Sequence, residues 1–138
     1  VRVKDGVSFY NDSIASSPSR TIAGLRSFPE KVILIAGGYD KHIPYDVMGP
    51  EICAHVKKLF LGGATGPLIR AAVENASQYQ PGCPEITDCG NFEAAVRAAA
   101  AAAEPGDVVL MSPASAAFDQ FKNFMVRGQF YKNLVREL

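Results

Sequence analysis

Apolar positions along this chain follow two periods, and the alternation between them predicts the architecture. Residues 1–4 and 7–11 are short extended runs split by Asp5-Gly6, a strong two-residue hairpin signal. Pro18 suits the first turn of a helix, and Ile22, Leu25 and Phe28 then share a helical face that Pro29 closes. Residues 31–36 are an unbroken β-branched and leucine run, the pattern of a strand buried on both faces. Tyr45, Met48, Ile52 and Val56 recur at helical spacing, interrupted by Gly49-Pro50. Residues 57–61 read as the next strand, 67–77 as a helix and 85–88 as a brief edge strand. Asn91 stands where it can cap a helix over 92–103, which Pro105-Gly106 stops. The alanine run 98–103 combines high helix propensity with thin side chains that let the helix lie close to a sheet. Residues 107–111 form another buried strand. The last helix uses Phe121, Phe124, Tyr131, Leu134, Val135 and Leu138, with Gly128 where a neighbour approaches closely.

Strands alternating with helices through short connections predict a three-layer α/β sandwich of Rossmann-like type. Its sheet is mostly parallel, with about six strands, one of them antiparallel and supplied by the opening hairpin. A chain of 138 residues with no linker or internal repeat is expected to be a single domain, 1–138. It opens on a strand in progress without an initiator methionine, which predicts a fragment of a longer protein.

Composition narrows the function. Fourteen basic and fourteen acidic residues cancel, at a pI near 6.9, which argues against a charge-driven nucleic-acid or membrane-surface role. Three cysteines with no CxxC pair predict neither a disulfide framework nor a zinc site, and a reducing cytosol is the natural setting. No apolar run approaches the roughly 18 residues of a membrane span, and no signal-peptide pattern opens the chain.

Four polar loops (11–17, 37–41, 62–66 and 112–117) each follow a strand, so parallel strands would bring them to one sheet edge, where open α/β sheets bind ligands. Asp12 suits a sugar hydroxyl or a metal, or equally a cap or turn. Ser16 and Ser17 suit a carboxylate or the cap of the helix at Pro18. Lys41, after a diglycine, suits an anionic ligand or plain solvent. Neither glycine cluster matches GxxxxGKS/T or GxGxxG, so the glycines read as tight turns. His42, Cys53 and His55 lack metal-ligand spacing. Lys122 and Arg127 read as a solvated face, and Phe121 and Phe124 as core with one of them lining the site. From the residues alone the chain is a small α/β domain that binds a small anionic ligand at its strand ends.

Three segments carry a family resemblance. Tyr10-Asn-Asp-Ser-Ile-Ala-Ser-Ser-Pro18 resembles NDSKATNP, Ile35-Ala-Gly-Gly-Tyr-Asp-Lys41 resembles LGGxDK, and residues 110–128 resemble LLSPAxASxDxFxxFxxRG. Their order and spacing, with Pro105-Gly-Asp-Val-Val before the third, resemble the C-terminal domain of the D-glutamate-adding Mur ligases of peptidoglycan synthesis. Sister Mur ligases and folylpolyglutamate synthases carry a DYAH-like element where this chain has Asn11-Asp12-Ser13. They remain the alternative within the enzyme class, and a stand-alone ligand-sensing α/β module is the alternative outside it.

The resemblance implies a cytoplasmic three-domain, ATP-dependent amide ligase joining D-glutamate to UDP-N-acetylmuramoyl-L-alanine through an acyl phosphate. ATP and Mg²⁺ would be held mainly by a central domain absent from this chain, and the rest of that polypeptide would be its partner. It implies that Asn11 and Asp12 face the nucleotide and that Asp12 contacts the ribose. Ser16 and Lys41 would hold one D-glutamate carboxylate, and Phe124 the other through its backbone, with Ser115, Ala117 and Phe118 nearby. No catalytic residue is expected within this domain alone. Two departures stand out: Ile14 replaces the family's lysine, and Ala117 occupies a serine position for which Ser115 is the nearest substitute.

Overall fold

The apolar runs pair into one sheet. A computed structural model of the chain describes residues 2–40, 42, 44–82, 84–117 and 121–137. Its elements run β1 (Arg2–Lys4), β2 (Val7–Asn11), α1 (Pro18–Arg26), β3 (Val32–Ala36), α2 (Met48–His55) and β4 (Val56–Leu61). They continue with α3 (Gly66–Glu74), β5 (Glu85–Asp88), α4 (Phe92–Ala102), β6 (Val108–Met111) and α5 (Phe124–Glu137). The six strands lie in the order β1-β2-β6-β3-β4-β5. β1 is antiparallel to β2, and every other neighbouring pair is parallel. Asp5 (φ 52°) and Gly6 (φ 80°) both take positive φ, the backbone that joins a two-residue hairpin without splaying its strands.

Alternation along β3 divides the core in two. Val32, Leu34 and Ala36 face one side, where Leu25 of α1, Met48 and Ile52 of α2, and Ile69 and Val73 of α3 cover them. Ile33 and Ile35 face the other side, under Phe92, Ala95, Val96 and Ala99 of α4 and Tyr131, Leu134 and Val135 of α5. Each fully buried side chain of this size contributes roughly 1.5–3 kcal/mol of transfer free energy. With three helices on one face and two on the other, the three-layer sandwich and its antiparallel edge are as the pattern predicts.

Boundaries differ where helix ends follow local chemistry. α2 begins at Met48 rather than Tyr45, which puts Gly49 and Pro50 in its first turn, where a missing N–H costs nothing. α3 ends at Glu74, short of Ser77, and α5 starts at Phe124, leaving Phe121 before it. Asn91 caps α4 as its position suggests, accepting the Ala94 N–H at 2.8 Å. Ser17 is the N-cap residue of α1, yet its side chain makes no capping bond and lies 3.3 Å from the Ser19 hydroxyl.

Chain order decides where a crevice opens. β2, β3 and β4 lead into α1, α2 and α3 on one face, whereas β6, inserted between β2 and β3, leads to α5 on the other. The loop leaving β6 therefore turns away from its two neighbours, and ligand crevices of open α/β sheets form at such a reversal.

Candidate functional site

The loops at the carboxyl edge are locked to one another by backbone. Gly37 N–H donates to Pro113 O (2.9 Å), Tyr39 N–H to Ala116 O (2.8 Å) and Ala114 N–H to Ala15 O (2.9 Å). Thr65 joins the third loop to the second: its N–H donates to Gly38 O (3.1 Å), and its hydroxyl accepts the Gly38 N–H (2.9 Å). The diglycine is more than a turn. A Cβ on Gly37 (φ 109°) would sit 2.0 Å from Gly62 O, and one on Gly38 would sit 2.5 Å from Ala116 O. Only residues without a Cβ let the loops approach this closely.

Asp12 emerges at the end of β2, where its N–H donates to Met111 O at 2.8 Å. It does not cap a helix. Its Oδ2 accepts the Ser112 hydroxyl at 2.7 Å, and Ser112 Oγ lies 2.9 Å from Thr21 Oγ1. The hydroxyl has one proton to give, and the carboxylate is the stronger acceptor. Among the described residues the other Asp12 oxygen has no partner, so a half-buried, oriented acceptor is left for a ligand donor. Four residues on, Ser16 is half-buried, and its hydroxyl likewise has no partner among the described residues.

Asn11 works within the fold. Its Oδ1 accepts the Ser13 N–H (3.0 Å), and its Nδ2 lies 3.4 Å from Gly128 O, tying the β2 loop to α5. Gly128 lies close against this loop: a Cβ there would stand 3.1 Å from that Asn11 nitrogen and 3.3 Å from Ser13 Cβ, a tight fit that asks the Asn11 amide to shift by a few tenths of an ångström.

Arg127 corrects the sequence reading. It was expected on a solvated face but is 1% exposed. Its guanidinium donates to Ser13 Oγ (2.9 Å), Ser13 O (2.7 Å) and Ser115 O (2.8 Å), clasping the loop after β2 to the loop after β6. Ser13, 4% exposed, passes its own proton to Phe124 O at 2.7 Å. The signal was present in the helical spacing: Arg127 stands four and seven residues before Tyr131 and Leu134, on the stripe α5 buries. Lys122 is exposed, as expected.

The remaining candidates divide. Ser115 does not reach the crevice: it is 1% exposed, with its hydroxyl 2.9 Å from Tyr45 OH and 2.8 Å from Thr65 Oγ1. Burial pushes the Tyr45 hydroxyl above its ordinary pKa, outweighing its bonds to Ser115 and Thr65. Ala117 is buried and offers no polar side-chain atom. Phe124, 38% exposed, lines a cavity between the end of β2 and α5, while Phe121 packs edge-on against Phe92 with centroids 5.4 Å apart. As the first residue of α5, Phe124 has a backbone N–H without an intrahelical acceptor. Lys41 and Phe118 lie outside the described residues. Among the described residues no three His, Cys, Asp or Glu side chains cluster as a metal site, and no helix is long and apolar enough to cross a membrane.

A mostly parallel α/β sheet with helices on both faces and polar loops gathered at its carboxyl edge, beside an inserted central strand, defines a domain of the doubly wound α/β class. Residues 1–115 match the family described as Mur ligase, glutamate ligase domain, and the chain belongs to that family. Over its full length it is 53% identical to the UDP-N-acetylmuramoylalanine--D-glutamate ligase of Acetivibrio thermocellus. It is 49% identical to that of Clostridium beijerinckii and 51% identical to that of Ruminiclostridium cellulolyticum. The chain spans 30% of the length of these relatives. A crystal structure of a murein peptide ligase from Psychrobacter arcticus shares the fold, with a TM-score of 0.60 at 11% identity over 97% of this chain and 28% of that one.

Proposed function

We propose that this chain is the amino-acid-closing domain of an ATP-dependent amide ligase that adds D-glutamate to UDP-N-acetylmuramoyl-L-alanine in the cytoplasm. The observation that carries this reading is the pairing, on one loop beside the inserted strand, of an oriented carboxylate with a spare oxygen and an unpartnered hydroxyl. Asp12 is suited to the ribose hydroxyls of ATP, which are donors, and Asn11 holds the loop that presents it. Ser16 and Lys41 hold a D-glutamate carboxylate by charge-assisted hydrogen bonds, and the Phe124 N–H donates to the other carboxylate.

With no phosphate-binding glycine loop in this sequence, the nucleotide phosphates and Mg²⁺ belong to the remaining part of a longer polypeptide, of which this chain is the C-terminal domain. Bound ATP supplies the phosphoryl group that activates the acceptor carboxylate. The contribution of this domain is to fix the D-glutamate amine in line with that carbon, which lowers the barrier through proximity.

Steady-state kinetics of the full-length ligase test this. Lys41→Ala is expected to raise the KM for D-glutamate about tenfold or more, the equivalent of one lost charge-assisted contact, with little change in the KM for ATP. Equal effects on both substrates, or a preference for another amino acid over D-glutamate, would overturn it.

A further inference from the structure

Asp12 stands where three elements meet, and each of them constrains its carboxylate. β6 pairs with β2 and ends at Met111, so the next residue, Ser112, reaches Asp12 across the ladder. Ser112 is itself immobilised. It is fully buried, its N–H donates to Ile35 O at 3.1 Å, and its carbonyl accepts the Thr21 hydroxyl at 3.2 Å. The third element is α1. Thr21 and Gly24 are three residues apart and share the helix face turned to the end of β2. A Cβ on Gly24 would stand 2.9 Å from Asp12 Oδ2, so a side chain at that position would displace the carboxylate.

The hydroxyl protons run one way. Thr21 has one to give and two acceptors on Ser112, the carbonyl and, 2.9 Å away, Oγ. Ser112 has one to give and sends it to the carboxylate, the strongest acceptor in reach, at 2.7 Å. Asp12 ends the relay, because a carboxylate has no proton to pass on. Its Oδ2 is thereby used inside the fold. Its Oδ1, without a partner among the described residues, is left as an acceptor of fixed direction.

We propose that Ser112 is a positioning residue for the nucleotide contact, backed by Thr21 and given room by Gly24. Together they set the rotamer of Asp12 and so demand a hydrogen-bond donor, a ribose hydroxyl, opposite Oδ1. The role rests on Asp12 meeting the nucleotide. Such preorganisation supplies discrimination, because a site built to accept from a hydroxyl is left with an unpaired oxygen when that hydroxyl is missing.

Three variants of the full-length ligase test it by kinetics and thermal unfolding. Ser112→Ala strands no buried donor, since the Thr21 hydroxyl keeps the carbonyl of residue 112. It is expected to raise the KM for ATP about fivefold and to leave the KM for D-glutamate within about twofold. Gly24→Ala should raise the KM for ATP likewise, yet leave the unfolding midpoint equal or higher, because alanine is the better helix former. In an Asp12→Ala background neither change should weaken ATP further. The unaltered enzyme should favour ATP over 2′-deoxy-ATP or 3′-deoxy-ATP, and Ser112→Ala should narrow that preference. Asp12→Ala without effect on ATP, or indifference of the unaltered enzyme to both deoxynucleotides, would overturn the nucleotide reading of Asp12 itself. An effect of Asp12→Ala that Ser112→Ala and Gly24→Ala do not share would overturn the positioning role alone. So would equal rises in both KM values, additive losses in the double variants, or a preference that Ser112→Ala does not narrow.

Discussion

Arg127 holds its charge where almost no water reaches it, and it does so by filling the planar fork of its guanidinium with loop oxygens. Sequence alone points to Asp12, Ser16 and Lys41 because their loops end in turn-forming residues. It misses Arg127 and Ser13 because a charged or small polar residue reads as solvent-facing until its burial is known. The hydroxyl cluster of Tyr45, Thr65 and Ser115 was out of reach for the same reason: its members are 20 and 50 residues apart and meet only through the sheet edge. Tyr131 shows a buried polar group left unsatisfied. It is fully buried, and among the described residues its hydroxyl has no hydrogen-bond partner. Burial alone pushes its pKa far above the ordinary value. In the unfolded chain that hydroxyl ionises near pH 10, while in the fold it stays protonated. Its share of stability is therefore intact below about pH 10 and falls as pH rises beyond it. Tyr131→Phe is expected to stabilise the chain by about 1 kcal/mol at neutral pH, with a growing advantage above pH 10, read from denaturant midpoints. A loss of stability at both pH values would show that the hydroxyl is satisfied in solution.

At the level of elements, the period of the apolar pattern was enough to place every strand and helix, and the hairpin turn and the Asn91 cap follow from local chemistry. Helix starts were less legible, because a proline or glycine in the first turn looks like a break until the cap is located. The packing of loop on loop was not legible at all. The contact of Gly37 with Gly62 joins residues on different strands, and nothing in either local sequence shows that a carbonyl will lie 2.0 Å from where a Cβ would stand. Gly37→Ala must either push the β4 loop away or abandon a φ of 109°. It should cost at least about 3 kcal/mol, seen in thermal or denaturant unfolding. Gly82 supplies the contrast, since its φ is also positive but a Cβ there meets nothing within 4 Å. Gly82→Ala should therefore cost much less, and equal costs at the two positions would mean that φ strain, not loop contact, dominates.

For the whole molecule, order in sequence and order in space disagree at one place. β6 sits between β2 and β3, so neither of those strands has its inner partner until residues 108–111 arrive. A chain ending at Gly106 should consequently fail to give the sigmoidal unfolding transition of the full chain. A cooperative transition in that truncated chain would mean that β2 and β3 find another closure. The insertion also has a consequence for synthesis. At about 10 residues per second, roughly ten seconds separate the emergence of β2 from that of β6. For about seven of those seconds, from the appearance of β3 onward, its apolar edge is without its β6 mate. The most aggregation-prone moment in the life of this fold therefore comes on the ribosome, and the strand that carries Ser112 and its loop into the crevice is the one that ends it.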